Sequence, residues 1–369
     1  MFDKVFTLPF YVKMTILFIG LLALFTILYI GQSIIVPLVF ASIIAILLNP
    51  VVNFFVRRKI PRVISILLTL FLTLLIFGAL GLLIYSQISK FTDSWPILVE
   101  KFTLTISDSI AWISIHFDIN PDKIHEWIAK TKVELLNSSS SVIGRTLSTL
   151  SNVLMVLLLI PIYIFLILFY QPLLLDFLHK LIKSDKQTQL NEIVTQTKTV
   201  IQRYLVGLIM EASIIAIFYT TTLLILDIDY AILLGIIGAL LNMIPYVGGV
   251  TGAALPMMIA LATKDSAWYA VYIMGIYLVI QFIDNNLIVP KIVASKVKIN
   301  ALFSIIVVIV GNALWGIPGM VLSLPLLAIV KLIFDNIESL NHWGFLLGDT
   351  MPTLIDIKPI LKKIKKQTK

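Results

Sequence analysis

Long apolar runs dominate this chain, and they are too numerous to be buried against one another. Residues of the hydrophobic set make up 59% of its 369 residues, and the mean hydropathy is +1.02. An ordinary soluble domain holds roughly 45–50% apolar residues, even with Gly counted. A helix of about 20 apolar residues matches the thickness of a bilayer core. The sequence therefore predicts an all-α, polytopic helical membrane protein.

Six of the apolar runs are predicted to be membrane helices, because a helix rises about 1.5 Å per residue and the hydrocarbon core is roughly 30 Å thick. They are Met14–Ser33, Ile34–Leu48, Arg62–Tyr85, Val153–Tyr170, Leu205–Leu226 and Trp268–Val289. The second run is short, and Asn49 followed by Pro50 is typical of a helix end. We expect that helix to stop there and to be tilted or shallow.

Basic residues beside these runs predict the orientation of the chain, since Lys and Arg in short loops resist translocation. They place both termini in the cytoplasm, together with the loop at 57–62 and the segment at 180–203. Residues 87–152 are then outside. The lysines at 291, 296 and 298 are inside, so the stretch between residues 227 and 268 must begin and end outside.

Two apolar stretches broken by Gly, Pro and Asn are predicted to be hairpins. The arms of 231–262 are each only about 20–22 Å long if helical, which is too short to cross comfortably, so this hairpin enters from the outer face. The stretch 300–334 begins and ends near cytoplasmic lysines, so it enters from the inner face. Broken segments of opposite orientation are typical of transporters with inverted repeats and a midplane site.

The chain is accordingly divided into five segments. They are 1–86, the N-terminal membrane helices; 87–152, an outer segment of two or more amphipathic helices; 153–204, a span and a cytoplasmic amphipathic helix; 205–334, a transport core with both hairpins; and 335–369, a basic cytoplasmic tail. The helix before residue 205 is expected to continue directly into the next span. The tail lysines are expected to contact anionic lipid, at about 1 kcal/mol per Lys near the surface.

Ionisable residues inside predicted spans point to function, because each is unfavourable there by about 2.5–3.5 kcal/mol on insertion scales. Glu211 and Asp284 are two such residues. Gln281, Asp284 and Asn285 share one helix face by their spacing. Their oxygens suit a proton or Na⁺ as coupling ion. Alternatively, Lys291 neutralises Asp284 near the cytoplasmic interface and the amides join helices, while a protonated Glu211 bonds a neighbouring helix.

Each broken stretch also carries an amide close to its break. Asn242 precedes Pro245, and Asn312 precedes Pro318. Proline frees an upstream carbonyl, and glycine permits close approach, so carbonyls and helix ends can face a cavity. The glycines concerned are Gly248, Gly249, Gly252 and Gly319. The alternative is tight packing of helices through small residues.

Residue content argues against several classes of protein. With no cysteine, the chain has no disulfide, zinc–thiolate site or cysteine nucleophile. Its four histidines are scattered, and no phosphate loop, nucleophile–base pair or metal motif appears. We therefore expect no enzyme, no metal site and no cofactor beyond a coupling cation. The net charge of +8 accompanies the apolar runs, so no nucleic-acid partner is expected.

Several motifs resemble the autoinducer-2 exporter family of PerM-like permeases. These are the stretch 239–248 (ALLNMIPYVG); Gln281 with Asp284, Asn286 and Pro290; and Gly311, Gly316, Pro318, Gly319 and Pro325. The layout agrees over almost the whole chain. Two positions depart from the family pattern, since Asp284 stands where Glu is common and Gly249 where Pro often follows. The resemblance implies a bacterial inner-membrane transporter that is homo-oligomeric, with a pentamer as one option.

The first hypothesis is a secondary transporter that exports a small polar solute, such as an autoinducer-type signal, by movement of the paired hairpins. A Na⁺/H⁺ antiporter, whose partner is a monovalent cation, and a non-transporting membrane scaffold are the alternatives. The residues expected along the substrate or ion pathway are Glu211, Asn242, Pro245, Tyr246, Gly248, Gly249, Gln281, Asp284, Asn285, Asn286, Pro290, Gly311, Asn312, Pro318 and Gly319.

Overall fold

The computed structural model describes residues 9–117, 130, 133, 158–181, 187–244, 248–293 and 299–349, and in these it is helical without strands. Helices satisfy their own backbone hydrogen bonds, which an apolar solvent requires. In chain order they are α1 (Phe10–Ile30), α2 (Gln32–Arg57), α3 (Arg62–Phe117), α4 (Leu158–Leu181), α5 (Gln187–Ile225), α6 (Ala231–Asn242), α7 (Gly248–Thr263), α8 (Trp268–Ile283), α9 (Ala301–Asn336) and α10 (Asn341–Leu347). A π-helical stretch, Asp284–Val293, continues α8, and a short 3-10 turn, Glu338–Leu340, precedes α10.

Seven helical segments in the described ranges are long and apolar enough to cross a membrane, judged by length and composition. They are α1, α2, the first half of α3, α4, α5, α8 with its π-helical continuation, and α9. This confirms the expected all-α polytopic membrane fold. The long α5 also joins the predicted amphipathic helix to the following span without a break, as expected.

The expected helix end at Asn49–Pro50 is wrong, because α2 continues through both residues to Arg57. Proline has no N–H, so Pro50 leaves the carbonyl of Ile46 without its helical donor. Gln202 of α5 donates its Nε2–H to that carbonyl at 2.6 Å. A side chain of a neighbouring helix thus replaces the missing backbone bond, and the helix does not need to stop.

The third helix, α3, runs through the position where a boundary was expected between residues 86 and 87. Its later part packs against the base of the α6–α7 pair, where Thr105 donates to the Leu261 carbonyl at 3.2 Å and Phe91 contacts the ring of Tyr230. Most of the remaining outer segment lies outside the described residues. The expected number of helices in 87–152 and the five-segment plan stay predictions.

Helices α6 and α7 form the hairpin that was predicted at 231–262, and we call it the first hairpin. They pack through glycines, since a Cβ built on Gly252 would lie 3.5 Å from the Cα of Gly238. At the base of the hairpin, Lys264 forms an ion pair with Asp227 at 2.9 Å. The tip, residues 245–247, contains the expected site residues Pro245 and Tyr246, and it lies outside the described residues.

The second hairpin is α9 itself, which folds back at Gly316. This residue has φ 62° and ψ −142°, a conformation that is essentially restricted to glycine. The two arms touch at Gly311 and Gly319, where a Cβ on Gly311 would lie 2.4 Å from the Gly319 carbonyl oxygen. Asn300 at the start of the hairpin bonds to the Leu347 carbonyl at 3.0 Å, so both ends of the hairpin lie together.

The bases of the two hairpins lie at opposite ends of the helix bundle. The base of the second hairpin is joined to the start of α5, since Gln189 donates to the Asn336 carbonyl. This end also carries Arg57, Arg62 and Arg203, and we call it the basic end. The first hairpin has its base at the other end, which we call the distal end. The predicted pair of hairpins of opposite orientation is therefore present.

Candidate functional site

Glu211, Asn242 and Asp284 meet between three helices and form what we call the carboxyl cluster. Asn242 donates its Nδ2–H to Asp284 Oδ2 at 2.9 Å, and the same nitrogen lies 3.5 Å from Glu211 Oε1. The second distance is at the outer limit of a hydrogen bond. One amide at the end of α6 thus lies between carboxyl groups from α5 and from the start of the π-helical stretch.

The cluster forms where the buried faces of three helices converge. In α5 the buried positions recur every three or four residues, and Glu211 is followed on this face by Ile215 and Tyr219. In α8 the same spacing leads through Ile280 to Asp284. The regular spacing places both acids on faces that otherwise carry core residues, which are the faces that pack together.

Small residues bring the end of α6 close enough to join the cluster. A Cβ built on Gly235 would lie 2.7 Å from the backbone nitrogen of Thr220 in α5, so these two backbones nearly touch. A Cβ on Gly248 would lie 2.1 Å from the Leu241 carbonyl oxygen and 2.3 Å from the Cα of Asn242. The close packing attributed to glycine in the first hairpin therefore positions Asn242.

Both carboxyl groups are buried and neither forms a salt bridge with any residue that the structure describes. Glu211 is 7% exposed and Asp284 is 1% exposed. The ion pairs within the described ranges involve other residues. Within the described ranges Lys291 and Asp284 form no ion pair, so the alternative in which Lys291 neutralises Asp284 stays a prediction. Two buried carboxylates without a cation are strongly unfavourable, so the cluster is suited to hold a proton or a cation.

The shared face expected for Gln281, Asp284 and Asn285 is only partly present. Gln281 and Asp284 both direct a buried oxygen inward, whereas Asn285 is exposed and accepts a hydrogen bond from Gln281 at 3.4 Å. Asn286 is also exposed and donates to the Phe282 carbonyl at 2.8 Å. The helix changes from α to π at Asp284, so α-helical spacing does not describe the residues that follow. Short π-helical segments are frequent at functional sites.

Two buried tyrosines that the sequence analysis missed lie on the same faces as the carboxyl cluster. Tyr219 of α5 and Tyr277 of α8 stack with ring centroids 4.0 Å apart and planes 3° from parallel. Their hydroxyl groups have no hydrogen-bond partner among the described protein groups, and the same holds for one oxygen each of Gln281 and Asp284. The i, i+4, i+7 spacing of Tyr277, Gln281 and Asp284 was the available sequence signal.

A cavity of about 500 Å³ lies between α2, α5 and the π-helical stretch. Its lining is mostly apolar with two basic side chains, and comprises Leu47, Pro50, Gln202, Arg203, Val206, Gly207, Met210, Lys291 and Ile292. The lining on α5 runs from Gln202 to Met210, the residue before Glu211, so the cavity approaches the carboxyl cluster from the side of the basic end.

Of the remaining predicted site residues, those of the second hairpin do not join the cluster. Gly311 and Gly319 are buried against each other in the second hairpin, while Asn312 and Pro318 are exposed. Pro290 is also exposed, and Gly249 lies in the first turn of α7. The second hairpin therefore contributes no amide to the cluster, since Asn312, unlike Asn242, is exposed. Among the described residues, no three His, Cys, Asp or Glu side chains are grouped as a metal site.

Residues 17–339 match the model of a family described as AI-2E family transporters. Among similar proteins, YueF of Bacillus subtilis is 26% identical over 313 residues, which cover 82% of this chain and 84% of YueF. TqsA of Escherichia coli, which is named an AI-2 transport protein, is 24% identical over 322 residues, covering 86% of this chain and 90% of TqsA. The similarity thus extends over nearly the whole chain in each case.

Proposed function

Because the chain belongs to the AI-2E family of transporters, we propose that it is a cation-coupled secondary transporter of a small polar solute, and that the carboxyl cluster binds the coupling proton or Na⁺. The observation that carries this proposal is the position of Asn242. It joins the end of α6, next to the tip of the first hairpin, to two buried acids on two other helical segments.

The charge state of the carboxyl cluster should control whether the first hairpin stays packed against its neighbours. With both acids ionised, the cluster has two negative charges and only an amide donor, so repulsion favours separation of α5, α6 and the π-helical stretch. A bound proton or Na⁺ reduces that repulsion and favours the compact arrangement. A cation can drive a conformational change only through such a difference in affinity between two states.

Access from the basic end is supported by the cavity beside Gly207. The arrangement of Arg57, Arg62, Arg203 and Lys291 at this end favours a cytoplasmic position for it. On this basis the present conformation is open inward, the solute enters from the cytoplasm, and transport is export across a bacterial inner membrane. Movement of the first hairpin, whose base is at the distal end, would then open the outer side.

TqsA is named an AI-2 transport protein, so AI-2 is the first solute to test. A small polar solute also fits a cavity with apolar walls and a few polar groups, which is the usual composition of a ligand site. Homo-oligomerisation and lipid binding by the tail stay predictions, as the tail beyond residue 349 lies outside the described residues.

A Na⁺/H⁺ antiporter is the second candidate function. It is favoured by the composition of the carboxyl cluster, where the oxygens of two buried carboxyl groups can bind a cation without any solute. The antiporter needs only competition between proton and Na⁺ for these oxygens. The two candidates differ in whether a solute is required for cation movement.

The test is reconstitution of the purified protein into liposomes that contain a pH-sensitive dye and a Na⁺-sensitive dye. Na⁺ gradients and proton gradients are applied with and without a panel of polar solutes that includes AI-2. Proton movement that requires a solute supports the coupled transporter, and proton movement driven by Na⁺ alone supports the antiporter. Absence of cation movement under all these conditions would overturn both, and would leave the scaffold hypothesis.

Variants of the acids decide whether the cluster is the coupling site. Glu211→Gln and Asp284→Asn should each slow coupled flux by about tenfold or more, which is about 1.4 kcal/mol of barrier. The matched control is Glu338→Gln, because this acid is exposed in the 3-10 turn outside the hairpins. Flux at the native rate in Glu211→Gln and Asp284→Asn, as in the control, would show that coupling occurs elsewhere.

A further inference from the structure

Four of the five buried side-chain atoms without a hydrogen-bond partner in the described ranges are oxygens that lie along one stripe. They are the hydroxyls of Tyr219 and Tyr277, Gln281 Oε1 and Asp284 Oδ1. The fifth is Arg62 Nε, whose guanidinium group donates through another nitrogen to the Leu168 carbonyl at 2.8 Å. Buried polar atoms are rarely left unpaired, so four on one stripe call for a shared explanation.

The stripe leads away from the carboxyl cluster toward the distal end. Tyr277 precedes Asp284 by seven residues in a helix that begins at Trp268 near the distal end, which places it about 10 Å closer to that end. Tyr219 stands at the same level, because the two rings stack. The cavity, by contrast, lies on the basic side of Glu211. Cavity and stripe are thus on opposite sides of the cluster along the helix axes.

Chemically, the stripe matches a hydrated path for protons. Each tyrosine hydroxyl can donate one hydrogen bond and accept others, and the oxygens of Gln281 and Asp284 can accept. A buried water typically makes about three hydrogen bonds to such otherwise unpaired groups. In the described part of the chain, Tyr277 is packed in a cluster of apolar side chains that includes Ile273, and such a cluster excludes bulk water.

We propose that Tyr219, Tyr277, Gln281 and Asp284 line a narrow water-filled path that carries protons between the carboxyl cluster and the distal end. The stacked tyrosines are its narrowest point. This inference rests on the proposed function, since it supplies the outer half of the route for the coupling proton. The two tyrosines are then relay groups in transport in addition to core residues.

The first measurement detects the water directly and does not depend on transport. In X-ray hydroxyl-radical labelling with mass spectrometry, internal water labels the side chains beside it. Tyr219 and Tyr277 should be labelled although they are fully buried. The control is the double variant Tyr219→Phe with Tyr277→Phe, which keeps both rings but removes the hydroxyls, so labelling at both positions should fall severalfold. Labelling of the native protein no higher than in this variant would overturn the proposal.

The second measurement is proton flux of the double variant in liposomes, with its melting temperature as a check on folding. Removal of two buried hydroxyls that bond no described protein group should leave the melting temperature unchanged or higher. Proton flux should fall severalfold if the hydroxyls relay protons. Labelled tyrosines with native flux in the double variant would overturn the relay. Failure of the proposed function is a separate result, namely native flux in Glu211→Gln.

Discussion

Asn242 and Asp284 are 42 positions apart in sequence, yet the amide of the first donates to the carboxylate of the second at 2.9 Å. The bond joins the last residue of α6 to the first residue of the π-helical stretch. Asp284 is buried and Asn242 is half-buried, so the bond is electrostatically stronger than a fully exposed one. The position of the first hairpin is therefore sensitive to the charge of Asp284.

Replacement of Asn242 by Asp should place a third carboxyl group in the cluster. We expect Asn242→Asp to lose coupled flux and to be destabilised by about 3 kcal/mol at neutral pH, because a buried charge without a partner is unfavourable. The loss in melting temperature should shrink as the pH is lowered, since protonation removes the added negative charge. Thermal denaturation in detergent between neutral and acid pH tests this. Asn341→Asp, at the exposed start of α10, is the control and should show no such trend.

Replacement of Gly319 by Ala should separate the arms of the second hairpin. A Cβ at this position would lie 1.9 Å from the Gly311 carbonyl oxygen, so backbone must move. Overpacking of this kind is unfavourable by about 1–3 kcal/mol. Gly275→Ala is the matched control, because nothing lies within 4 Å of its built Cβ. A melting temperature equal to that of the control would contradict the observed contact.

Replacement of Gly316 should also be destabilising, but through its backbone conformation and not through a steric clash. Nothing lies within 4 Å of its built Cβ, but its φ of 62° with ψ −142° disfavours any side chain. We expect Gly316→Ala to be destabilised by about 1–3 kcal/mol through backbone strain alone. Gly316→Asn should be destabilised to a similar degree, because this backbone region is unfavourable even for Asn. Equal stability of both variants and the native protein would argue against this turn.

Trp315 connects the tip of the second hairpin to α1, and its loss should loosen that helix. Its Nε1–H donates to the Leu28 carbonyl at 2.9 Å. Leu28 lies in the last turn of α1, where carbonyls lack helical donors. Trp315→Phe keeps an aromatic ring and removes the bond, so we expect a loss of about 0.5–1.5 kcal/mol. Trp343→Phe on the exposed face of α10 is the control. A melting temperature of Trp315→Phe equal to that of this control would contradict the prediction.

The ion pair at the base of the first hairpin should depend on pH. A hydrogen bond and the positive charge of Lys264 hold the pKa of Asp227 below its usual range, and the hydrogen bond with Asp227 raises the pKa of Lys264. The stabilisation is therefore present above the usual pKa of Asp, about 3.9, and is lost as the pH falls through the lower folded value. It is also lost at strongly alkaline pH, as the pH rises through the pKa of Lys264.

Asp227→Asn should consequently lower the melting temperature slightly at neutral pH, with a difference that disappears in acid and in high salt. The effect is small because Asp227 is 97% exposed and solvent screens the pair. Asp229→Asn, which removes a nearby exposed carboxylate that makes no ion pair in the described ranges, should have a smaller effect. A pH-independent difference for Asp227→Asn would contradict the assignment.

Hydropathy and charge were sufficient to predict the helices and the two hairpins, because burial in lipid acts on long segments and tolerates errors at single residues. The prediction at Pro50 failed for a local reason. Proline is a helix end only when nothing else satisfies the carbonyl that it frees, and Gln202 satisfies the carbonyl of Ile46. No pattern within α2 could reveal a donor that lies more than 150 positions away.

Glu211, Asn242 and Asp284 were each identified from the sequence, but their contact was not. Each residue is unusual in its own segment, which is a local signal, whereas their meeting depends on the close packing of Gly235 and Gly248. Tyr219 was missed because an aromatic residue in a membrane helix is ordinary. Asn285 was misplaced because α-helical spacing was assumed beyond Asp284.

The π-helical stretch gives the segment after Asp284 a freedom that the other helices lack. In a π-helix each N–H bonds five residues back instead of four, so conversion to α-helix exchanges one set of bonds for another without unfolding the chain. Such an exchange changes the angular position of every later residue about the helix axis. Lys291, on the wall of the cavity, is seven residues beyond Asp284. One register change would therefore rotate this part of the cavity wall relative to Asp284.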